Sequence, residues 1–199
     1  MNRRELLKSS GLFVGYAVSS AALTNLFISC QAEARVNLDW NPVFLSKEQA
    51  NTLAEITETI LPKTTTPGAK ELAVPQFIDK MLKEVSGKAD QINFVAGLTQ
   101  IDKDCTNKYG KTFVECSAED RTAFLLAMDE AAGVFPPSVW GITLAPPSPV
   151  AFFRQLKSLT LFGYYTSEEV GKNILSYDPV PGDFIACMPL KEVGNAWNE

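Results

Sequence analysis

Residues 46–62 read SKEQANTLAEITETILP, and this stretch decides the fold class. Ser46 and Gln49 have the spacing of a capping box, which is a signature of a helix N-terminus. The apolar residues then recur every three or four positions as far as Pro62, which cannot continue a helix. The stretch therefore predicts an amphipathic helix with one buried face. Its apolar positions are Leu53, Ile56, Ile60 and Leu61.

The same spacing recurs along the rest of the chain, and no segment shows the sustained alternation of a β-strand. We therefore predict an all-α fold: a single domain at residues 45–199 with about six helices, a long Pro-rich loop and an irregular C-terminal tail. The second helix is predicted to begin at Pro75 and to stop at Gly87, and the third contains Phe94 and has Gly110 as its C-terminal cap. The fourth begins at Ser117 and contains Met128, and the fifth begins at Pro149, with Ser148 as its cap, and stops at Gly163. The sixth begins at Ser167 and runs to about Leu175.

The loop at residues 133–149 is rich in proline and in large apolar side chains. A short irregular segment cannot bury all of these side chains by itself, and a loop stiffened by proline loses little entropy when it docks. Aromatic residues such as Trp140 are favoured anchors of protein interfaces. The loop is therefore a candidate partner interface, with Phe135, Trp140 and Ile142 as its contacts. The alternative is a loop that folds back over its own core.

The charge and the absence of histidine exclude several functions. The 199 residues carry a net charge of −5 without a basic cluster, whereas nucleic-acid binding needs clustered Lys and Arg. Without histidine the chain lacks the usual Ser–His and Cys–His pairs, the commonest zinc ligand and a haem axial histidine. The glycine-rich loops that bind dinucleotides and phosphates are absent too. We expect no catalytic, cofactor-binding or metal-binding residues in this chain.

The first residues have the pattern of an export leader. Arg3 and Arg4 precede a weakly apolar run at residues 11–29. Paired arginines in this setting are typical of a twin-arginine leader, which carries proteins across a membrane after they have folded. We expect residues 1–29 to be a signal peptide for the twin-arginine translocase and residues 30–44 to be an extended tether. The alternative is an uncleaved N-terminal anchor helix.

Cys30 lies where a lipoprotein cleavage box would place an acylated cysteine, directly after the small residue Ser29. Phe27 stands where leucine is usual in such a box. One interpretation is a lipid anchor at Cys30 in the periplasm, since lipoproteins carry more than one acyl chain and stay on the membrane. The other is that an ordinary signal peptidase discards this cysteine with the leader.

Three further cysteines follow, Cys105, Cys116 and Cys187. Export would place them in an oxidising compartment, where disulfides form. An odd number leaves at least one thiol free or joined to another chain. Cys105 and Cys116 are near enough in sequence to bridge if a turn separates them. The alternative for each of the three is a small buried apolar residue.

Residues 163–169 read GYYTSEE and begin another helix. Glu168 and Glu169 make a poor catalytic pair, because adjacent helical residues do not face each other. They complement the dipole of that helix instead. We expect Tyr164 and Tyr165 to pack in the domain or to bind a partner, because a tyrosine has an apolar body and a polar tip.

Two C-terminal segments, LFGYYTSEE at 161–169 and YDPVPGDFIACMP at 177–189, resemble the signature of the gluconate 2-dehydrogenase subunit 3 family. Three earlier segments are similar to that family as well, and the resemblance spans roughly residues 45–190. These segments are ILP with TPGA at 60–62 and 66–69, VP with FID at 74–75 and 77–79, and YGKTF at 109–113.

The resemblance implies a small exported subunit beside a large FAD-dependent dehydrogenase of the glucose–methanol–choline class. In such complexes the large subunit oxidises a sugar or polyol, and a cytochrome c subunit often completes the assembly. The resemblance also implies that the small subunit is non-catalytic and that its leader escorts the leaderless large subunit through the twin-arginine pathway. Cys187 lies in the signature tail, where a disulfide within the chain or to the partner would hold an irregular segment.

Two alternatives come from other classes of function. One is a stand-alone envelope lipoprotein that acts as a binding or scaffold module. The other is a hydrolase that uses only carboxylates. A hydrolase of that kind would need two acidic residues facing each other across a cleft, and the sequence shows no such pair.

Overall fold

The structure is a computed structural model that describes residues 38–133, 138–139, 142–143, 150–176, 182 and 186–196. Its central element is helix α1, Lys47–Ile60. Its side chains Leu53, Ile56 and Thr57 are fully buried, so the apolar stripe seen in the sequence forms the core. Four helices surround and contact it: α2, Val74–Glu84; α3, Lys88–Tyr109; α4, Ala118–Ala131; and α5, Phe152–Tyr165.

The remaining elements are short. They are a 3₁₀ turn at Phe113–Glu115, the strands β1, Ser138–Val139, and β2, Ile142–Thr143, a π turn at Val170–Ile174, and the one-turn helix α6, Leu190–Val193. The described residues thus contain six α-helices, which confirms the predicted all-α fold of about six helices. They belong to one compact unit, Asn37–Glu199. Within the described ranges no helix is long and apolar enough to cross a membrane.

Several predicted site residues lie outside the described ranges. The signal peptide at 1–29 and the lipid anchor therefore stay predictions, and so does the docking role of the Pro-rich loop. The residues concerned are Arg3, Arg4, Cys30, Phe135 and Trp140, together with the side chain of Ile142, whose backbone lies in β2.

The predicted helix caps are confirmed for α1 and α3. The Ser46 hydroxyl accepts the Gln49 N–H at 3.2 Å, and Gln49 Oε1 accepts the Ser46 N–H at 3.1 Å. Gly110 ends α3 with a φ of 72°, a left-handed conformation that glycine adopts without steric cost. The side-chain pattern alone was sufficient here because both caps depend only on neighbours in sequence.

The predicted bounds of α5 are wrong. The helix begins at Phe152, after Ala151, and it continues through Gly163 to Tyr165. Glycine costs a helix only about 1 kcal/mol, so a contact that requires glycine can override its tendency to end the helix. The predicted cap at Ser167 also fails, because the Ser167 hydroxyl donates to the Tyr164 carbonyl at 2.7 Å instead of accepting a helix N–H.

Two segments predicted to be irregular contain short regular elements. In the Pro-rich loop, β1 and β2 pair antiparallel, with Ser138 opposite Thr143 and Val139 opposite Ile142. The tail contains α6. Two-residue strands and a single helical turn are too short to produce a detectable period in the sequence.

The last part of the predicted tether at 30–44 docks on the helices. The carboxylate of Asp79, on α2, accepts the backbone N–H groups of Val43, Phe44 and Leu45. Asp79 is only 1 % exposed, so water does not compete for these bonds. Leu38, Trp40 and Phe44 are partly buried against the core.

Candidate functional site

Helices α2 and α5 meet at a glycine. Gly163 of α5 is buried, and a Cβ atom on it would lie 2.8 Å from Phe77 Cδ1 and 3.2 Å from Val74 Cγ1, both on α2. Any side chain at residue 163 would push the two helices apart, whereas glycine lets the backbone of α5 approach α2 closely. This contact sets the direction in which α5 presents its other side chains.

Tyr164 fastens α5 to the loop between α1 and α2. Its side chain is almost fully buried, and its hydroxyl donates to the Pro67 carbonyl at 3.0 Å. The same loop is held from α1 by Glu58, whose carboxylate accepts the N–H of Lys63 at 3.1 Å and the N–H of Lys70 at 2.9 Å. The loop therefore supports α5 from a fixed position.

Beside this junction, three aromatic side chains form a surface that is partly open to water. Phe162 is 52 % exposed and Tyr165 is 51 % exposed, and they share one face of α5 because they are three residues apart. Phe77 of α2 is partly buried, and its ring centroid lies 5.8 Å from that of Phe162. The Tyr165 ring packs edge-on against Tyr164 at 5.5 Å. We call Phe77, Phe162 and Tyr165 the aromatic surface.

The sequence model of one known family, described as gluconate 2-dehydrogenase subunit 3, matches residues 47–182. The chain belongs to this family. The match covers α1 to α5 and therefore includes the whole α2–α5 junction. The family name makes the chain an accessory subunit of a dehydrogenase complex, which is an oxidoreductase assembly. No curated protein and no solved structure matches the chain.

In this subunit 3 domain, the structure brings together most of the segments that carry the family resemblance. The Ala69 N–H donates to the Leu61 carbonyl at 2.9 Å, which closes the ILP–TPGA loop on itself. Tyr164 of the LFGYYTSEE segment then bonds to that loop, and Gly163 of the same segment contacts the VP–FID segment of α2. The YGKTF segment lies elsewhere, at the end of α3 and in the 3₁₀ turn. Residues 177–181 and 183–185 of the tail lie outside the described ranges.

A polar cleft lies between the start of α1 and α3, and Asp102 is one of the residues that line it. Burial raises the pKa of the Asp102 carboxyl above its ordinary value, and such a shift in a cleft is one mark of a functional acid. Both carboxyl oxygens are already used, however. The Phe113 N–H donates to one at 3.1 Å and the Thr52 hydroxyl donates to the other at 3.0 Å. We therefore assign Asp102 to holding α3 against both α1 and the 3₁₀ turn.

The two acidic residues of the LFGYYTSEE segment, Glu168 and Glu169, have hydrogen-bond partners on the surface. Glu168 bonds to Lys172 at 2.5 Å and Glu169 to Asn173 at 2.8 Å, each four residues further on. Among the residues that the structure describes, no three His, Cys, Asp or Glu side chains come together in a way that could hold a metal ion. We take the aromatic surface as the candidate site, because its three exposed or partly buried rings lie on segments that carry the family resemblance.

The three predicted cysteines have two different environments. Cys105 and Cys116 are buried, whereas Cys187 is exposed and its backbone has a φ of 60°. All three are free thiols in the structure. Of the two tyrosines predicted to pack or to bind, Tyr164 is buried in the junction and Tyr165 belongs to the aromatic surface.

Sequence reasoning missed Phe162 and Phe77 as candidate interface residues. The error follows from ending the helix at Gly163, because Tyr165 then lies outside the helix and its relation to Phe162 is lost. A helix continued through Gly163 would have placed Phe162 and Tyr165 on one face by their three-residue spacing. The proximity of Phe77 had no sequence signal, since it depends on how α2 packs against α5.

Proposed function

We propose that this chain is the non-catalytic small subunit of a periplasmic FAD-dependent sugar or polyol dehydrogenase. In this proposal it binds the large flavoprotein subunit through the aromatic surface, stabilises it and escorts it through the twin-arginine pathway. A cytochrome c subunit and a lipid anchor at Cys30 would complete the assembly at the membrane. FAD would be bound by the large subunit, and no cofactor by this chain.

The observation that carries the proposal is the position of the aromatic surface on the segments that carry the family resemblance. Half-exposed aromatic side chains are favoured interface anchors, because each buries a large area on binding and loses few rotamers. The aromatic surface is also held in place before binding, since Gly163 fixes its helix against α2 and Tyr164 fixes it to the neighbouring loop. Such preorganisation lowers the entropic cost of association.

The leader supports the escort part of the proposal. Arg3 and Arg4 are typical of an export route that accepts folded proteins. A chain without a cofactor-binding motif has no cofactor of its own to retain during export. A partner that binds FAD in the cytoplasm does have that need, because its flavin must be inserted before it crosses the membrane.

Affinity isolation from the native host tests this function. The chain would carry its own leader and a C-terminal tag, and a second strain would carry the Arg3→Lys/Arg4→Lys leader. We expect a large flavin-containing subunit to co-purify from the periplasmic fraction of the first strain. In the second strain we expect both proteins to stay in the cytoplasm. A lone, colourless protein from cells shown to express the candidate flavoprotein would favour the stand-alone lipoprotein instead.

Charge substitutions on the aromatic surface test the interface. We expect Phe162→Asp or Tyr165→Asp to reduce the amount of co-purified large subunit by at least about tenfold, because a carboxylate would be buried against an apolar partner surface. Ile92→Asp is the matched control, since Ile92 is also an exposed apolar residue but lies on α3, at 68 % exposure. Unchanged melting temperatures would show that the variants fold. Equal recovery of the large subunit with all three variants would exclude the aromatic surface as the interface.

A further inference from the structure

A pocket of about 170 Å³ lies between the end of α1, helix α4 and the beginning of α5. Each helix contributes to its apolar lining: Ile60 from α1, Leu125 and Leu126 from α4, and Phe153 from α5. Leu125 and Phe153 are buried members of the core. Leu126 is 58 % exposed, so the pocket opens to water at this side chain.

An ion pair supplies the polar part of the same lining. Lys157 Nζ, on α5, donates to Asp129 Oδ2, on α4, at 2.8 Å, and both side chains are partly exposed. A lysine ammonium has three N–H donors and a carboxylate has several acceptor positions, so a single bond leaves both groups able to bond to a ligand. The other polar lining residues, Thr59 and Thr122, donate their hydroxyl hydrogens within their own helices at 2.7 Å and 2.8 Å.

We propose that this pocket binds a monocyclic aromatic alcohol. The volume fits one ring, because an apolar cavity of about 150 Å³ holds a benzene molecule. The ring would lie against the apolar lining, with its hydroxyl at the ion pair. A hydroxyl accepts from Lys157 Nζ and donates to the Asp129 carboxylate, whereas an anionic ligand would face that carboxylate and a cationic ligand would face the ammonium.

The pocket is a second site of the domain and does not depend on the proposed function. The residues that line it do not include Phe77, Phe162 or Tyr165, which form the aromatic surface. A ligand in the pocket would contact α1, α4 and α5 at once. The experiment contains no large subunit and no export step, so its failure leaves the proposed function unaffected, and a failed co-purification leaves a measured ligand affinity unchanged.

The test is a titration of the purified, ¹⁵N-labelled full chain with benzyl alcohol, followed by two-dimensional NMR. We expect saturable shifts of amide signals from the end of α1, from α4 and from the beginning of α5. A dissociation constant on the order of 1 mM is expected for a ligand of this size. The absence of saturable shifts in these three segments up to about 20 mM benzyl alcohol would overturn the proposal.

Two charged analogues of the same size test the role of the ion pair. Benzoate and benzylammonium should each bind about threefold to fivefold more weakly than benzyl alcohol, the effect of a partly exposed ion pair. In Lys157→Met the Asp129 carboxylate is left alone, so benzylammonium should become the tightest of the three ligands. Lys172→Met is the matched control, because Lys172 is paired with Glu168 on the surface, and it should keep the original order. Equal weakening of all three ligands in Lys157→Met would show that the pair is only structural and would contradict the assigned ligand.

Filling the pocket tests its location. Thr122→Trp should weaken benzyl alcohol binding by at least about tenfold, because the indole would occupy the space of the ligand ring. Thr99→Trp is the control, since Thr99 is also an exposed helical threonine but lies on α3, and it should leave the affinity unchanged. Unchanged melting temperatures would show that both variants fold. Equal affinity of the two folded variants for benzyl alcohol would exclude this pocket as the binding site.

Discussion

Replacing Asp79 by alanine is expected to lower the free energy of unfolding by about 4 kcal/mol, the largest effect that we expect from a single polar substitution in this domain. The Asp79 carboxylate is 1 % exposed and accepts the N–H groups of Val43 at 2.6 Å, Phe44 at 3.2 Å and Leu45 at 2.8 Å. Each bond to a charged acceptor is worth about 1.5–3 kcal/mol, and its loss leaves a backbone donor without a partner. Alanine removes all three acceptor contacts at once.

Urea unfolding followed by circular dichroism would measure this loss. The free energy of unfolding of Asp79→Asn should lie between those of the unsubstituted chain and Asp79→Ala. Its amide oxygen can still accept the N–H groups of Phe44 and Leu45, whereas its NH₂ group would face the Val43 N–H, which is also a donor. Glu84→Ala is the control, since Glu84 is an exposed carboxylate on the same helix and its loss should change stability by at most about 0.5 kcal/mol. If Asp79→Ala were as stable as this control, the docking of residues 43–45 would not depend on the carboxylate.

The second large effect is expected at the contact between α2 and α5. Gly163→Leu should cost about 3 kcal/mol, because its side chain would overlap Phe77 and Val74 and force the helices apart. Gly163→Ala should cost about 1 kcal/mol or less, since the gain in helix propensity partly offsets the close contact that begins at 2.8 Å from Phe77 Cδ1. The cost therefore grows with side-chain size, whereas helix propensity alone would make both variants more stable than glycine.

Urea unfolding would show whether Gly163→Leu loses more stability than Gly163→Ala. Gly182→Ala is the matched control, because no atom lies within 4 Å of a Cβ placed at residue 182. Gly163→Leu should also retain less of the large subunit, since it would displace Phe162 and Tyr165 on either side of it. A Gly163→Leu variant as stable as the Gly182→Ala control would contradict the close packing of α2 and α5.

The roles of Asp79 and Gly163 were both hidden in the sequence. Asp79 reads as a charged residue in a helix, and nothing nearby indicates that its partners lie in the segment before α1. The sequence pattern predicts that Gly163 ends a helix, because a glycine close to a turn commonly does so. Both residues take their roles from an element distant in the chain, and a periodicity within one helix carries no information about such a neighbour.

The local features were predicted well for the same reason. The Ser46–Gln49 capping box and the Gly110 cap depend on backbone groups within a few residues, and both are confirmed. The family resemblance at 45–190 is also confirmed by the match over residues 47–182, because it depends on residue identity and order alone. The short strands β1 and β2 and the single turn α6 were missed, since elements of this length carry no period.

The sequence by itself determined that this protein is all-α, where its principal helices lie, and that it belongs to the gluconate 2-dehydrogenase subunit 3 family. Those properties follow from periodic burial, from local capping and from residue order. Only the tertiary structure decided that Gly163 is a helix contact and that Phe162 and Tyr165 share a surface beside Phe77. The physical reason is that each of these relations depends on one of two things. Either segments that are distant in the sequence pack together, or a helix continues through a residue that would ordinarily end it. In the folded domain, burial and close contact outweigh local propensity at these positions.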